Sequence, residues 1–354
     1  MGEVFHNADH MSAEQETNQT NEAMALEPHA ILQGSRWLIW LIGTAACAAL
    51  ILVVTHLSEE QEFLRLVQKI NPYWLGLAVL LQSGTYVVQG FIWRMVAGAT
   101  RHALPMSRAC EMSLAMLFVD QALPSAGISG GVLVFGALSR AGMPRPAVAS
   151  AVLVNVATYY LAYSFCMALA LSVAFYHGYF SGWVNVVMLS FVFTGSGVAW
   201  FVMSLPGGGM NWLKTRLRHL TKLAQLLDLV DFAHPESFRN MRVLFLAFAS
   251  HVVIFLLDAV TVWVAVRALG VTYAIGGVYA SFMASTLFRT IGIMPGGLGT
   301  FETASVMSLK SIGLPLSVGL SATLLFRGLS FWLPMIPGLI CSRNILGRSL
   351  HQAK

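Results

Sequence analysis

Residues 289–306 read RTIGIMPGGLGTFETASV, and positions Pro295, Gly296, Gly297, Leu298 and Gly299 place one proline and three glycines in a region apolar enough to lie in a bilayer. Proline lacks an amide donor and glycine lacks the side chain that restricts the backbone, so a helix arriving here breaks. Hydrocarbon offers nothing to the amides and carbonyls that a break sets free, so protein or water must cover them. The stretch therefore predicts a broken helix facing a polar cavity or packed against another helix. A new helix is expected to start near Thr300. Its free amides form a weak positive pole, and Glu302 falls in its first turn.

The rest of the chain supports a membrane setting. Hydrophobic residues make up 56% of the 354 and charged residues only 10%. Several apolar runs exceed the length that a helix needs to cross a bilayer. The expected architecture is an all-α polytopic membrane protein, with full spans near 37–57, 73–98, 146–175, 182–204, 242–269 and 316–341 and ambiguous regions at 107–139 and 275–311. Cys47, Cys110, Cys166 and Cys341 stand singly in hydrophobic stretches and suggest neither a disulfide framework nor a metal clamp.

Charge gives the orientation. Residues 1–35 hold Glu3, Asp9, Glu14, Glu16, Glu22 and Glu27 and no Lys or Arg, and read as a disordered acidic cytoplasmic tail. Loop 205–241 carries Lys214, Arg216, Arg218, Lys222 and Arg239, and is cytoplasmic by the positive-inside rule; the connections near 177 and 271 are external. Counting crossings outward from this loop, region 107–139 enters and leaves on the cytoplasmic face and region 275–311 on the outer face. That makes six crossings, two opposed re-entrant hairpins and two cytoplasmic termini. The transmembrane domain is expected over 36–342, with repeat units near 107–175 and 275–341, an amphipathic linker at 206–241 and a tail at 343–354. Within the linker, Leu213, Leu217, Leu220 and Leu227 share roughly one helical face among basic residues, which suits the inner membrane surface. The basic residues border membrane spans, so no nucleic-acid partner is expected.

An internal repeat supports this count. A shift of 171 positions places Pro124 on Pro295, Leu138 on Leu309, Gly142 on Gly313, Pro144 on Pro315, Ser150 on Ser321, Ala151 on Ala322 and Leu153 on Leu324. Three full crossings separate the hairpins, so their orientations are opposite. Inverted repeats with broken helices meeting near the midplane are a common plan for transporters, with the substrate site at the meeting point.

The charges inside this framework are the candidate site residues. Glu302 either caps its helix or serves as a proton carrier or a contact for a cationic group. Arg327, about eleven residues into the last span, lies near mid-membrane. It either closes a salt bridge with Glu302 or Asp258 or captures a lipid phosphate. Arg289 precedes the break and either faces the cavity or snorkels to the surface. Pro295, Gly296, Gly297 and Gly299 line the second break, and Pro124, Gly127 and Gly130 the first. Secondary candidates are Asp258 and Asp120, each also readable as a buried hydrogen-bonding residue, together with Arg140 and Arg94, the latter near a cytoplasmic helix end where anchoring is the simpler role.

No enzyme motif stands out from this background. The stretch 127–131, GISGG, fits Gly-x-Ser-x-Gly, but a nucleophile elbow needs a strand before it and a soluble sheet around it. No metal site or cofactor is expected.

The segment 294–340, MPGGLGTFETASVMSLKSIGLPLSVGLSATLLFRGLSFWLPMIPGLI, has LPSAGISGGVLVFGALSRAGMPRPAVASAVL upstream and LLDAVTVWVAVRALG between them. Together these resemble the flippase-like transmembrane family typified by the membrane portion of lysylphosphatidylglycerol synthases, over about residues 37–341. The resemblance implies a bacterial inner-membrane protein that moves a lipid or lipid-linked amphiphile between leaflets. The lipid would be a membrane phospholipid or a polyprenyl- or hopanoid-type lipid. Two departures limit it. The sequence ends at Lys354, with no room for the soluble aminoacyl transferase domain of bifunctional relatives, so lipid aminoacylation is not expected. Many relatives also carry an acid and an arginine just after the first glycine break, whereas GISGGVLVFGALSR is uncharged until Arg140. The expected function is a flippase or scramblase-like transporter whose headgroup passes Arg327, Arg289 and Glu302. The alternative is a non-transporting membrane partner that presents a lipid-linked substrate to a lipid-biosynthetic enzyme.

Overall fold

The computed structural model describes residues 70–100, 102–122, 128–204, 240–291 and 295–352, and among them there is no strand. The tail 1–35, the span expected at 37–57, Pro124, Gly127 and nearly all of the linker 206–241 lie outside the described residues. In chain order the helices are α1 (Pro72–Ala99), α2 (Met106–Ala122), α3 (Ile128–Arg140), α4 (Arg145–His177), α5 (Gly182–Ser204), α6 (Met241–Ala268), α7 (Ile275–Ile291), α8 (Thr300–Ser311), α9 (Leu316–Arg327) and α10 (Leu333–Gln352). A 3-10 turn, Pro295–Gly297, lies between α7 and α8, and a π-helical turn, Gly328–Trp332, joins α9 to α10.

Five of these segments are long and apolar enough to cross a membrane: α1, α4, α5, α6 and the composite helix Leu316–Ile345. They coincide with the sequence-derived spans to within a few residues. Local chemistry sets the ends. Asn71 accepts from the Tyr73 amide at 3.0 Å just before Pro72, Asn240 accepts from the Val243 amide at 3.3 Å, and α4 stops at Gly178 with φ 64°. Hydroxyls within the spans bond back to the preceding turn, as Thr158 does to Val154, Thr261 to Leu257 and Ser321 to Ser317, so they need no water inside hydrocarbon.

The other helices come in short pairs. α2 and α3 have 17 and 13 residues, and α7 and α8 have 17 and 12. At 1.5 Å per residue even the longest reaches only about 26 Å, short of the roughly 30 Å of a bilayer core. Within each pair the two helices pack together. Both pairs leave through the same turn. Gly142 and Gly313 take φ 90° and 101°, Met143 N donates to Leu138 O at 3.2 Å and Leu314 N to Leu309 O at 3.1 Å. Pro144 and Pro315, at φ −59° and −57°, then open α4 and α9. The spacing of 171 read in the sequence thus corresponds to a shared local geometry.

One core, containing Met167, Phe255, Phe282, Phe301 and Phe326, joins α4, α6, α7, α8 and α9. A second, around Trp93, Met112, Leu138, Val148 and Leu244, joins α1, α2, α3, α4 and α6. α1 lies along α6, and α2 lies along α10. The second contact is close because Gly338 faces Leu114 and Phe118: a β-carbon there would come within 2.7 Å of the Leu114 carbonyl oxygen. Phe193, Trp200, Phe245 and Ile336 are exposed on the outside, a surface suited to lipid and costly in water.

Candidate functional site

The second break is built from glycines that no other residue replaces easily. Gly296, Gly297 and Gly299 take φ 59°, 67° and 81°, all left-handed. A β-carbon on Gly297 would overlap Cγ of Arg289 and lie 3.0 Å from its Cα, and one on Gly296 would overlap the Phe331 ring. Gly297 thus admits the stem of Arg289 from α7, and α2 also packs against the turn Pro295–Gly297.

Two buried charges satisfy the broken backbone. Gly299 is the N-cap of α8, and its amide donates to Glu302 Oε2 at 2.6 Å while its carbonyl accepts from the Thr303 amide at 3.1 Å. Glu302 Oε1 accepts from Arg327 Nε at 2.5 Å, and Arg327 Nη2 donates to the Gly296 carbonyl at 2.9 Å. The guanidinium lies 5.2 Å from the Phe301 ring centroid and 4.6 Å from that of Phe331. Both residues are 4% exposed. Glu302 is therefore both a cap and half of an ion pair, and Arg327 holds the carbonyl on the far side of the break.

Arg289 is placed differently. It sits in the last turn of α7, partly exposed, with its stem against Gly297. Its charge acts on the Tyr159 hydroxyl of α4 and on Asp258 of α6, yet among the described residues no carboxylate closes a salt bridge with it. Asp258 Oδ1 accepts from Gln82 Nε2 of α1 at 3.0 Å. Around this point run further polar contacts: Tyr163 to Thr286 at 3.1 Å, and Gln89 to Asn155 at 3.1 Å. A polar seam thus crosses α1, α4, α6 and α7. Sequence reasoning named Asp258 and Arg289 but missed Gln82, Gln89, Asn155 and Tyr159. Two glutamines seven residues apart on one face of an apolar span were the available signal.

At the first break Asp120, near the end of α2, accepts from the Gly130 amide in the first turn of α3 at 2.8 Å. The acid missing after the glycines is thus supplied from before them, and both breaks place a carboxylate on the amides of the following short helix. Gln121 Nε2 donates to the Ser330 carbonyl of the π-helical turn at 3.3 Å, tying the end of α2 to the segment after Arg327. Arg94 and Arg140 are exposed, and no described contact ties either to a break.

A chain with these spans and glycine-broken helix pairs is a multi-pass membrane protein. It belongs to the family described as the lysylphosphatidylglycerol synthase TM region, whose pattern matches residues 38–338. It is also similar to the UPF0104 membrane protein MJ1595 of Methanocaldococcus jannaschii, at 22% identity over 326 residues, covering 86% of this chain and 94% of that protein.

Proposed function

We propose that the protein moves a lipid or lipid-linked amphiphile with an anionic headgroup between leaflets of the bacterial inner membrane. The two short helix pairs act as opposed re-entrant hairpins in inverted repeats, with both chain termini cytoplasmic. The observation that carries this reading is Arg289: a guanidinium fourteen residues into α7, about 21 Å along the helix, beside a glycine-opened backbone and without a salt-bridge partner among the described residues. A cation in that position is expensive in hydrocarbon and suits a phosphate that arrives and leaves. Arg327 and Glu302 serve as the buried brace that keeps the break open beside it, and Asp120 braces the first break.

The test is reconstitution of the purified chain in vesicles that carry fluorescent phosphatidylglycerol, phosphatidylethanolamine or a labelled polyprenyl phosphate in one leaflet. An external quencher then reads how fast label becomes accessible. At least one anionic class should exchange faster than in empty vesicles, and Arg289→Gln should slow it by tenfold or more. Exchange no faster than in empty vesicles for every class would sink the transporter reading in favour of a membrane partner that presents a lipid-linked substrate to a biosynthetic enzyme.

A further inference from the structure

Glu302 is buried and Asp258 half-buried, and the two carboxylates are partnered very differently. Glu302 has two donors, one of them charged. Asp258 lies ten residues before the Ala268 end of α6, about 15 Å along the helix, and among the described residues has one neutral donor, Gln82 Nε2. An ionised carboxylate offers about four acceptor sites. In hydrocarbon, a single neutral donor leaves it poorly compensated.

The surroundings of Asp258 are short of donors as well. Gln82 is 4% exposed, and its Oε1, which can only accept, has no hydrogen-bond partner among the described residues. The Tyr86 hydroxyl, one turn further along α1, is buried against Gln82 and faces Asp258, and no described residue accepts its O–H. Among the described residues, the ionisable groups facing Asp258 are Tyr86 from α1, Tyr159 from α4 and Arg289 from α7. On α9, Arg327 is committed to Glu302, and on α6 itself His251 bonds to the Ala247 carbonyl. Gln82 Oε1 and the Asp258 carboxylate thus both lack a donor, and the one Tyr86 O–H can serve only one of them. A proton on Asp258 Oδ2 would serve the other.

We infer that Asp258 is the proton-coupling carboxylate of this protein, ionised and facing Arg289 when the site is empty and protonated when an anionic headgroup occupies Arg289. This rests on the transport reading and supplies its energy source. The headgroup takes the countercharge that Arg289 gave Asp258, and Oδ2 takes one proton from water to form an O–H bond, with Gln82 Oε1 as its acceptor. When the headgroup leaves, Arg289 faces Asp258 again and the proton returns to water. One proton moves with each anionic headgroup, so one pH unit across the membrane sustains at most about a tenfold lipid asymmetry.

The full chain in detergent, in weak buffer with a pH indicator, is titrated with dihexanoyl phosphatidylglycerol, and binding is followed by tryptophan fluorescence. Uptake should approach one proton per bound headgroup in the wild type and vanish, per headgroup bound, in Asp258→Asn. Tyr86→Phe, which removes a donor to the ionised form, should move the midpoint of uptake to higher pH. Binding without uptake in the wild type overturns the coupling and leaves transport standing. In vesicles, a pH gradient acid on the side of the labelled lipid should accelerate wild-type exchange, and Asp258→Asn should lose that response. A response to a sodium gradient and none to a pH gradient overturns the assignment of a proton. Proton uptake without exchange of any lipid would keep the site and remove the transporter.

Discussion

Arg327 clamps Glu302 across the second break: its Nε holds the Glu302 carboxylate and its Nη2 holds the Gly296 carbonyl at 2.9 Å, while the same carboxylate holds the Gly299 amide. One pair of side chains therefore satisfies backbone on both sides of a break that hydrocarbon would leave bare.

Removing one charge of this clamp should be worse than removing both. Arg327→Met leaves a carboxylate unpaired and 4% exposed, a change that costs about 3–5 kcal/mol in buried pairs. Glu302→Gln keeps an acceptor for Gly299, as glutamine does at this position of a capping box. The double variant Arg327→Met with Glu302→Gln should unfold in detergent at a higher temperature than Arg327→Met alone. Additive losses would show that the two residues act independently.

The three glycines of the break should differ in consequence. Gly297→Ala drives a methyl into Cγ of Arg289 and should slow lipid exchange through that displacement, in protein that still inserts. Gly299→Ala meets no atom within 4 Å, so its cost is the left-handed backbone alone, roughly 1–2 kcal/mol, with exchange largely kept. Gly296→Ala overlaps the Phe331 ring, and Phe331→Ala should restore part of the loss. Equal effects of the alanines at 297 and 299 on exchange would show that backbone conformation is all these glycines provide.

How far the sequence revealed this arrangement follows from the range of each interaction. The start of α8 at Thr300 and the capping role of Glu302 depend on neighbours three residues apart, so the string PGGLGTFE carries them. Full spans are legible because twenty apolar residues have few other uses. The choice between Glu302 and Asp258 as the partner of Arg327 depends on how α8, α6 and α9 pack, and it stayed open until the geometry gave Glu302 to Arg327 and left Asp258 to Gln82, 176 residues away. The Asp120 contact was hidden for another reason. Its carboxylate reaches forward across a break of unknown shape to Gly130, whereas the familiar pattern places the acid after the glycines.

At the first break, Asp120→Asn retains an oxygen for the Gly130 amide, whereas Asp120→Ala frees that amide. Loss of a helix-capping acceptor costs about 0.5–2 kcal/mol. Thermal unfolding in detergent should therefore rank wild type close to Asp120→Asn and above Asp120→Ala. A drop for asparagine as large as for alanine would mean that the charge, and a cationic partner for it, matters more than the hydrogen bond.

The shared turns after α3 and α8 provide the test of inversion. Ala141 and Ser311 lie beside Gly142 and Gly313, whose conformations match, and both residues are exposed. In a direct repeat such equivalent turns face the same side of the membrane; in an inverted one they face opposite sides. Cysteines at 141 or 311, in a chain whose Cys47, Cys110, Cys166 and Cys341 are replaced by serine or alanine, can be treated in intact cells with an impermeant thiol reagent. The proposed orientation, with the basic loop 205–241 on the cytoplasmic side, predicts that 311 labels from outside, as do cysteines near Gly178 and Gly270, and that 141 labels only after permeabilisation. Labelling of 141 and 311 from the same side would rule out two opposed re-entrant hairpins, because an odd number of crossings must separate turns that face opposite sides.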